Sequence, residues 1–217
     1  MDTYHPNFFN QDESTAIRKD CQKRLDIIRK YVKKGSILFD IGCSGGFYSF
    51  GLSDICWAIS AIDNDKRLID YCNKIKEEHK INNVLFCGED INNMDRDVGV
   101  VDINPDGDWY IKNFDMTLYM SVHHHVIRHR GMIVANMILL NLSNHTDKMI
   151  FDMGQKDEEL SRELMSRDVW WNYLPETDNP AEWTKQYLLK NTSFTKATEI
   201  GKTKIHKTER VLWLLEK

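Results

Sequence analysis

Residues 38–46 read Leu-Phe-Asp-Ile-Gly-Cys-Ser-Gly-Gly. An apolar run reaches Asp40, turns through Gly42, Gly45 and Gly46, and re-enters apolar sequence at Phe47. Seventeen residues after Gly46 a second apolar run, Ala58 to Ile62, ends on another carboxylate, Asp63. Strand, glycine turn, helix, strand and acid in that order predict a crossover unit of the nucleotide-binding kind. Glycines admit a ligand close to the backbone, and a carboxylate at the next strand tip can accept hydrogen bonds from ribose hydroxyls. The stretch implies an adenosine-containing ligand.

The alternation continues on both sides. Upstream, Ile17, Cys21, Leu25, Ile28 and Val32 recur every three to four residues, which predicts an amphipathic helix capped by Ser14 or Thr15 and ended by Lys33-Lys34-Gly35. Strand one is expected over Ile37 to Ile41 and a helix from Phe47. Asp63-Asn64-Asp65 opens a second helix with Leu68, Ile69, Cys72 and Ile75 inward, and strand three, Val84 to Cys87, runs into Gly88-Glu89-Asp90-Ile91. Residues 92–112 are polar and hold the turn signature Asn104-Pro105-Asp106-Gly107, so they read as a surface excursion. Strand four comes next at Asp115 to Ser121, then an apolar helix at Met132 to Leu142, and strand five at Met149 to Met153.

Beyond strand five, residues 152–182 hold nine acids against three bases, with Trp170, Trp171, Tyr173 and, just after, Trp183. Helical stretches are expected near 157–166 and 180–191, then two strands, Phe194 to Ile200 and Glu209 to Leu215, joined by a basic turn. The expected fold class is α/β: a doubly wound, mostly parallel seven-stranded sheet, Rossmann-like, with an antiparallel C-terminal strand pair. A single domain is expected over 1–217: an N-terminal helix and tail (1–35), a cofactor-binding core (36–155), and the acidic aromatic segment with the strand pair (156–217).

Composition narrows the class. A net charge of −4 argues against a dedicated nucleic-acid binder. Residues 196–210 carry five Lys or Arg against two Glu, read as a solvated hairpin face rather than a substrate-binding patch. The five cysteines stand 13 to 22 residues apart with no Cys-x-x-Cys pair, which excludes a zinc knuckle and fits reduced thiols in a cytosol; no metal is expected. The first residues show neither a basic start nor an apolar stretch, and no apolar run reaches membrane-spanning length, so a cytoplasmic location is expected.

Three features separate the possible ligands. Asp40 stands before the glycines, where a carboxylate would repel a pyrophosphate but suits a cationic ligand. Asp90 follows strand three, within reach of an adenine amino group. The closing strand pair is not needed by a six-stranded dinucleotide-binding sheet. The set resembles the class I S-adenosylmethionine-dependent methyltransferases, whose first motif reads acid-x-Gly-x-Gly-x-Gly. Here the motif is Asp40-Ile41-Gly42-Cys43-Ser44-Gly45-Gly46, with Ser44 at the middle glycine.

The resemblance implies S-adenosylmethionine as cofactor, held by Asp40, Gly42, Cys43, Ser44, Gly45, Asp63, Asn64, Asp90, Ile91 and Ser121. In it Asp63 meets the ribose hydroxyls, Asp90 the adenine amino group and Ile91 the ring face, while Gly42 brings backbone to the methionine moiety. Tyr119-Met120-Ser121-Val122-His123-His124-His125 is similar to the family's fourth motif and the stretch after it, with His124 and His125 as candidate bases. Local readings stay open: Asp63 and Asp65 as helix caps, Asp90 as a loop residue, the histidines as packing groups. Gly201-Lys202-Thr203 imitates the end of a P-loop, but Lys196 stands where its first glycine is required.

The run Trp170-x-x-x-Leu174-Pro175, Pro180-x-x-Trp183, Phe194, Gly201 and Arg210 is similar to the tail of methyltransferase domains in bacterial enzymes that cap O-antigen polysaccharides and continue into a kinase. No kinase is expected after Lys217. That likeness implies a glycan acceptor or its phosphate, with Arg210 or nearby lysines meeting an anion. The expected function is O-methylation of a saccharide-type or other small-molecule acceptor. The alternatives are an RNA or protein methyltransferase, an NAD(P)-dependent oxidoreductase, and a non-catalytic nucleotide-binding protein.

Overall fold

The computed structural model describes residues 5–10, 18, 20–93, 101–102, 110–111, 113–154, 177–205 and 208–217. Its strands are β1 (Ile37–Ile41), β2 (Ala58–Ile62), β3 (Val84–Cys87), β4 (Val101–Asp102), β5 (Tyr110–Ile111), β6 (Phe114–Met120), β7 (Thr146–Asp152), β8 (Lys196–Ile205) and β9 (Thr208–Glu216). Seven of them form one sheet in the order β3-β2-β1-β6-β7-β9-β8, and β4 and β5 pair separately. β1, β2 and β3 run parallel, whereas β9 is antiparallel to both β7 and β8. Parallel strands covered on both faces need near-continuous apolar sequence, and β2 (Ala-Ile-Ser-Ala-Ile) is buried at every position.

Register brings the functional turns level. Ile41 pairs with Ile62 and Ile62 with Cys87, so Gly42, Asp63 and Gly88 leave the sheet together at its carboxyl edge. That edge is where ligands of open α/β sheets bind.

The helices are α1 (Cys21–Ile28), α2 (Phe47–Leu52), α3 (Lys66–Glu78), α4 (His123–Asn144) and α5 (Pro180–Asn191). Asp65 caps α3 by accepting from Arg67 N, and Asn179 caps α5 by accepting from Glu182 N, with Pro180 in its first turn. A Cβ at Gly51 would lie 2.4 Å from Leu25 Cδ2, so glycine is what lets α1 and α2 pack closely. Two compact units make up the chain: one holds α1 to β3 with the start of β6, the other the end of β6, α4, β7, α5 and the closing pair.

Several bounds differ from the sequence expectation. The first helix covers Cys21–Ile28 and stops short of Val32, because Lys30 and Tyr31 N–H groups turn back to Ile27 and Ile28 carbonyls while Arg29 reaches Asp54 and the Gly51 carbonyl. Its expected caps, Ser14 and Thr15, lie outside the described residues. The polar excursion contains the β4–β5 ladder; the Asn104–Gly107 turn lies outside the described residues. The helix expected from Met132 begins at His123 and passes through a break at Gly131 (φ 78°, ψ 168°), which hid its first two turns. β7 starts at Thr146, and β8 and β9 run to Ile205 and from Thr208, leaving a shorter connection than expected. The stretch near 157–166, with Trp170, Trp171 and Tyr173, lies outside the described residues.

Candidate cofactor site

In the first unit the glycine turn is built from left-handed residues: Gly42 (φ 72°), Ser44 (φ 50°) and Gly46 (φ 75°). Glycine suits two of these; a Cβ at Gly46 would also lie 2.8 Å from Phe50 Cε2. Ser44 is a non-glycine residue in the left-handed region, where a side chain is strained. Three bonds hold it there or beside it. Ser44 N donates to Asp63 Oδ2 at 2.8 Å, Cys72 Sγ donates to Ser44 O at 3.4 Å, and Gly46 N donates to Cys43 O at 2.9 Å. The N–H groups of Gly42 and Cys43 both donate to Ile62 O, at 2.8 and 3.0 Å, so the turn is stitched to the tip of β2.

Asp40 is 2% exposed, and Ser49 Oγ on α2 donates to its Oδ2 at 2.6 Å. Burial pushes the Asp40 carboxyl up to about 7, against the Ser49 hydrogen bond and assisted by the charge of Asp63. Asp63 is half-buried and spends one oxygen on Ser44 N and the other on Asp65 N, at 2.9 Å. It is therefore a clamp between turn and β2, while capping of α3 belongs to Asp65 alone. Each carboxylate oxygen has a second lone pair, which leaves acceptor capacity for ligand hydroxyls. Asn64 is exposed, Asp90 is half-buried at the exit of β3, and Ile91 is buried at the start of a short 3-10 turn.

An adenosine-bearing cation fits these residues on one further count. Ser44 Oγ is buried in the turn with no hydrogen-bond partner among the described residues. Such an atom costs about 1–3 kcal/mol unless something pairs with it, and a ligand in the turn would do so.

In the second unit two of the other sequence-derived candidates, Ser121 and His124, belong to a buried polar cluster. Ser121, at the exit of β6, is left-handed (φ 61°). Its N–H donates to Asp152 O and its Oγ to Asp152 Oδ1, both at 3.0 Å, and Arg210 Nη1 donates to the same Oγ at 3.0 Å. Asp152 has no exposure and Arg210 3%. His124 is buried, and its Nδ1 accepts from Gly154 N at 3.1 Å. Burial holds His124 well below the usual histidine range, with His125, Arg210 and His123 adding to the shift.

His123 has a different role. Tyr119 Oη lies 3.2 Å from its Nδ1 and Tyr187 Oη 2.7 Å from its Nε2, and Tyr187 donates onward to Asn136. The chain of donors runs one way, tying β6, α4 and α5 through a neutral ring that burial pushes down to about 3. His125 is exposed, its ring centroid 4.2 Å from that of His124. Among the described residues no cluster of three or more His, Cys, Asp or Glu is placed to hold a metal ion, and no helix is long and apolar enough to cross a membrane.

Sequence reasoning missed Ser49, Asp152 and Gly154, and singled out Arg210 without its partners. Their contacts span 9 to 89 residues, which no local pattern signals. Only the positions of Asp152 and Gly154 at the carboxyl end of a strand could have marked them.

The family model for the methyltransferase domain matches residues 32–208. The chain belongs to that family. Membership bears out the resemblance and the enzyme class expected from the sequence. A curated relative, the O-antigen chain terminator bifunctional methyltransferase/kinase WbdD of Escherichia coli, is 26% identical over 176 residues, covering 74% of this chain and 23% of that protein. The chain thus spans under a quarter of the curated relative. A solved WbdD structure superposes with a TM-score of 0.73 at 21% identity, over 98% of this chain and 43% of that one. A SAM-dependent methyltransferase from Aquifex aeolicus gives 0.59 at 14% identity, over 96% and 95% of the two chains. Magnesium protoporphyrin IX methyltransferase from Synechocystis PCC 6803, solved with bound SAM, gives 0.58 at 14%, over 92% and 79%. These structural neighbours share the Rossmann-like fold of this methyltransferase domain.

Proposed function

We propose that this methyltransferase uses S-adenosylmethionine to methylate an oxygen of a saccharide-type acceptor. One observation carries the donor: a buried carboxyl, Asp40, and a half-buried carboxylate, Asp63, stand together at the glycine turn. Two acids there disfavour a dinucleotide pyrophosphate and favour a cation. S-adenosylmethionine supplies, when bound, a methyl group on a positively charged sulfur, so the protein mainly has to align the acceptor.

The chain's own residues divide the task. Asp63 accepts from the ribose hydroxyls while keeping Ser44 N, Asp90 accepts from the adenine amino group, and Ile91 packs against the ring. Ser44 Oγ satisfies its buried hydroxyl on the ligand, and Gly42 gives the turn room. His125, the exposed member of the pair, takes the proton of an acceptor hydroxyl. The saccharide acceptor is supported by the likeness to O-antigen chain terminators.

Calorimetry with S-adenosylmethionine tests the donor. Binding to the wild type that weakens roughly 10- to 100-fold in Asp63→Ala is the expected outcome, on the scale of one or two charge-assisted hydrogen bonds. No heat from a folded sample, or heat with NADH instead, would remove the reading. Tritiated methyl transfer to O-antigen polysaccharide, bulk RNA and protein lysate separates the acceptor classes; label entering RNA or protein overturns the saccharide.

A further inference from the structure

Ser49 sits in the first turn of α2 and has no exposure. Its hydroxyl reaches back to the strand before the glycine turn, where Oγ donates to Asp40 Oδ2 at 2.6 Å. A hydroxyl can donate to a carboxylate or accept from a carboxylic acid, but only the first bond is charge-assisted. The contact therefore favours the ionised form of Asp40, and the Ser49 N–H pulls the same way.

The other groups around Asp40 oppose its charge or leave it alone. Burial is the largest influence, and Asp63 adds repulsion from the tip of β2, where Ala61, two residues earlier, is the strand partner of Asp40. Cys43 in the turn is pushed well up by burial and stays a neutral thiol. Cys72 on α3 donates its thiol to Ser44 O. β6 flanks β1 on the other side and brings no charged group to bear on Asp40. Among the described residues no Lys or Arg offsets the carboxylate. Ser49 is thus the strongest influence on Asp40 that favours charge, and the balance leaves the carboxyl at about 7.

We propose that Ser49 is the positioning residue that readies Asp40 for a cation, and that entry of S-adenosylmethionine expels the proton from Asp40 where it carries one. The proton passes to the buffer, and no covalent bond of the cofactor is made or broken. Direct contact is not required, because a cation in the turn acts on a carboxyl shielded from water, where charges couple strongly. The buried Ser44 Oγ, with no partner among the described residues, marks the turn as the place of entry. The expulsion rests on the S-adenosylmethionine reading; the hold of Ser49 on Asp40 does not.

Carboxyl-carbon spectra of the full chain, labelled with 13C-aspartate and free of cofactor, read that hold directly. Asp40→Asn deletes the Asp40 signal and so assigns it. In the wild type this signal should titrate near neutrality. In Ser49→Ala its midpoint should rise by about one to two pH units, the scale of one hydrogen bond to a charged group. Ser49→Thr keeps the hydroxyl and should return the midpoint to the wild-type position. Should it not fold, Ser49→Cys, a weaker donor of similar size, should give an intermediate value. Calorimetry with S-adenosylmethionine in buffers of different ionisation enthalpy then counts protons. The wild type should release roughly one proton at pH 6 and little at pH 8, whereas Ser49→Ala should still release a large fraction of one at pH 8. An Asp40 signal that titrates near its ordinary value, a midpoint unmoved in Ser49→Ala, or binding at pH 6 without proton release overturns the proposal. Absence of heat at either pH would overturn the cofactor reading and the expulsion with it, while the carboxyl spectra would still decide the part played by Ser49.

Discussion

Asp40 concentrates the energetic tension of the cofactor site. Its carboxyl ionises near 7 when folded against an ordinary value near 4, because burial removes the solvent that would stabilise the charge. A raised acid favours folding while it is protonated, so its contribution is greatest below about pH 4 and falls as pH rises towards 7. The amount is on the order of 1–4 kcal/mol. A bound cation beside the carboxylate would offset that loss. Thermal melts should therefore show S-adenosylmethionine stabilising the wild type more at pH 8 than at pH 5. In Asp40→Asn the added stabilisation should be smaller and nearly flat with pH; an unchanged slope in that variant would rule the carboxyl out. Ser44 makes a second test at one position. Ser44→Gly removes a left-handed side chain, worth about 1 kcal/mol, and also the buried hydroxyl without a partner. The expected result is a melting temperature equal to or above wild type, together with S-adenosylmethionine affinity several-fold lower by calorimetry.

At the scale of elements, α4 differs most from its sequence signature. Gly131 takes φ 78° and ψ 168°, a region open almost only to glycine, yet nothing lies within 4 Å of the Cβ it lacks. Gly131→Ala should thus cost about 1–3 kcal/mol in urea unfolding through the backbone alone. Gly46→Ala should cost more, because its Cβ also meets the Phe50 ring; the reverse order would mean that the break in α4 is not strained. β1, β2, β3 and α5 were legible to the residue, since apolar runs and an Asn-Pro start are local signals. The first turns of α4 were not, because a glycine that bends a helix looks in sequence like one that ends it. The β4–β5 ladder was hidden by polar composition. In the site, Asp40, the glycines and Asp63 were legible because spacing and residue type define a strand-turn-helix. Ser44's strain was not, since φ is set by the Asp63 and Cys72 bonds rather than by its neighbours in sequence.

Over the whole molecule, buried histidines and a buried acid oppose one another in the same pH window. His123 is pushed down to about 3 and His124 well below its usual range. A base whose folded pKa is depressed stabilises the fold above its unfolded value, near 6.5, and that contribution is lost as pH falls through the window towards 3. Asp40 works the other way between about 4 and 7. Among the described residues, two histidines against one aspartate leave a net loss on acidification. His123 is the larger structural commitment, because β6, α4 and α5 meet through Tyr119, its ring and Tyr187. The unfolding free energy from urea melts should fall between pH 7.5 and pH 5, by at most about 2 kcal/mol for each histidine less the gain from Asp40. His123→Phe fills the same space without titrating. It should lower stability at pH 7.5, since two tyrosine hydroxyls lose a partner, each worth about 1 kcal/mol, but it should flatten the fall towards pH 5. A variant that keeps the full wild-type slope would show that the acid sensitivity of the fold lies outside the Tyr119–His123–Tyr187 link.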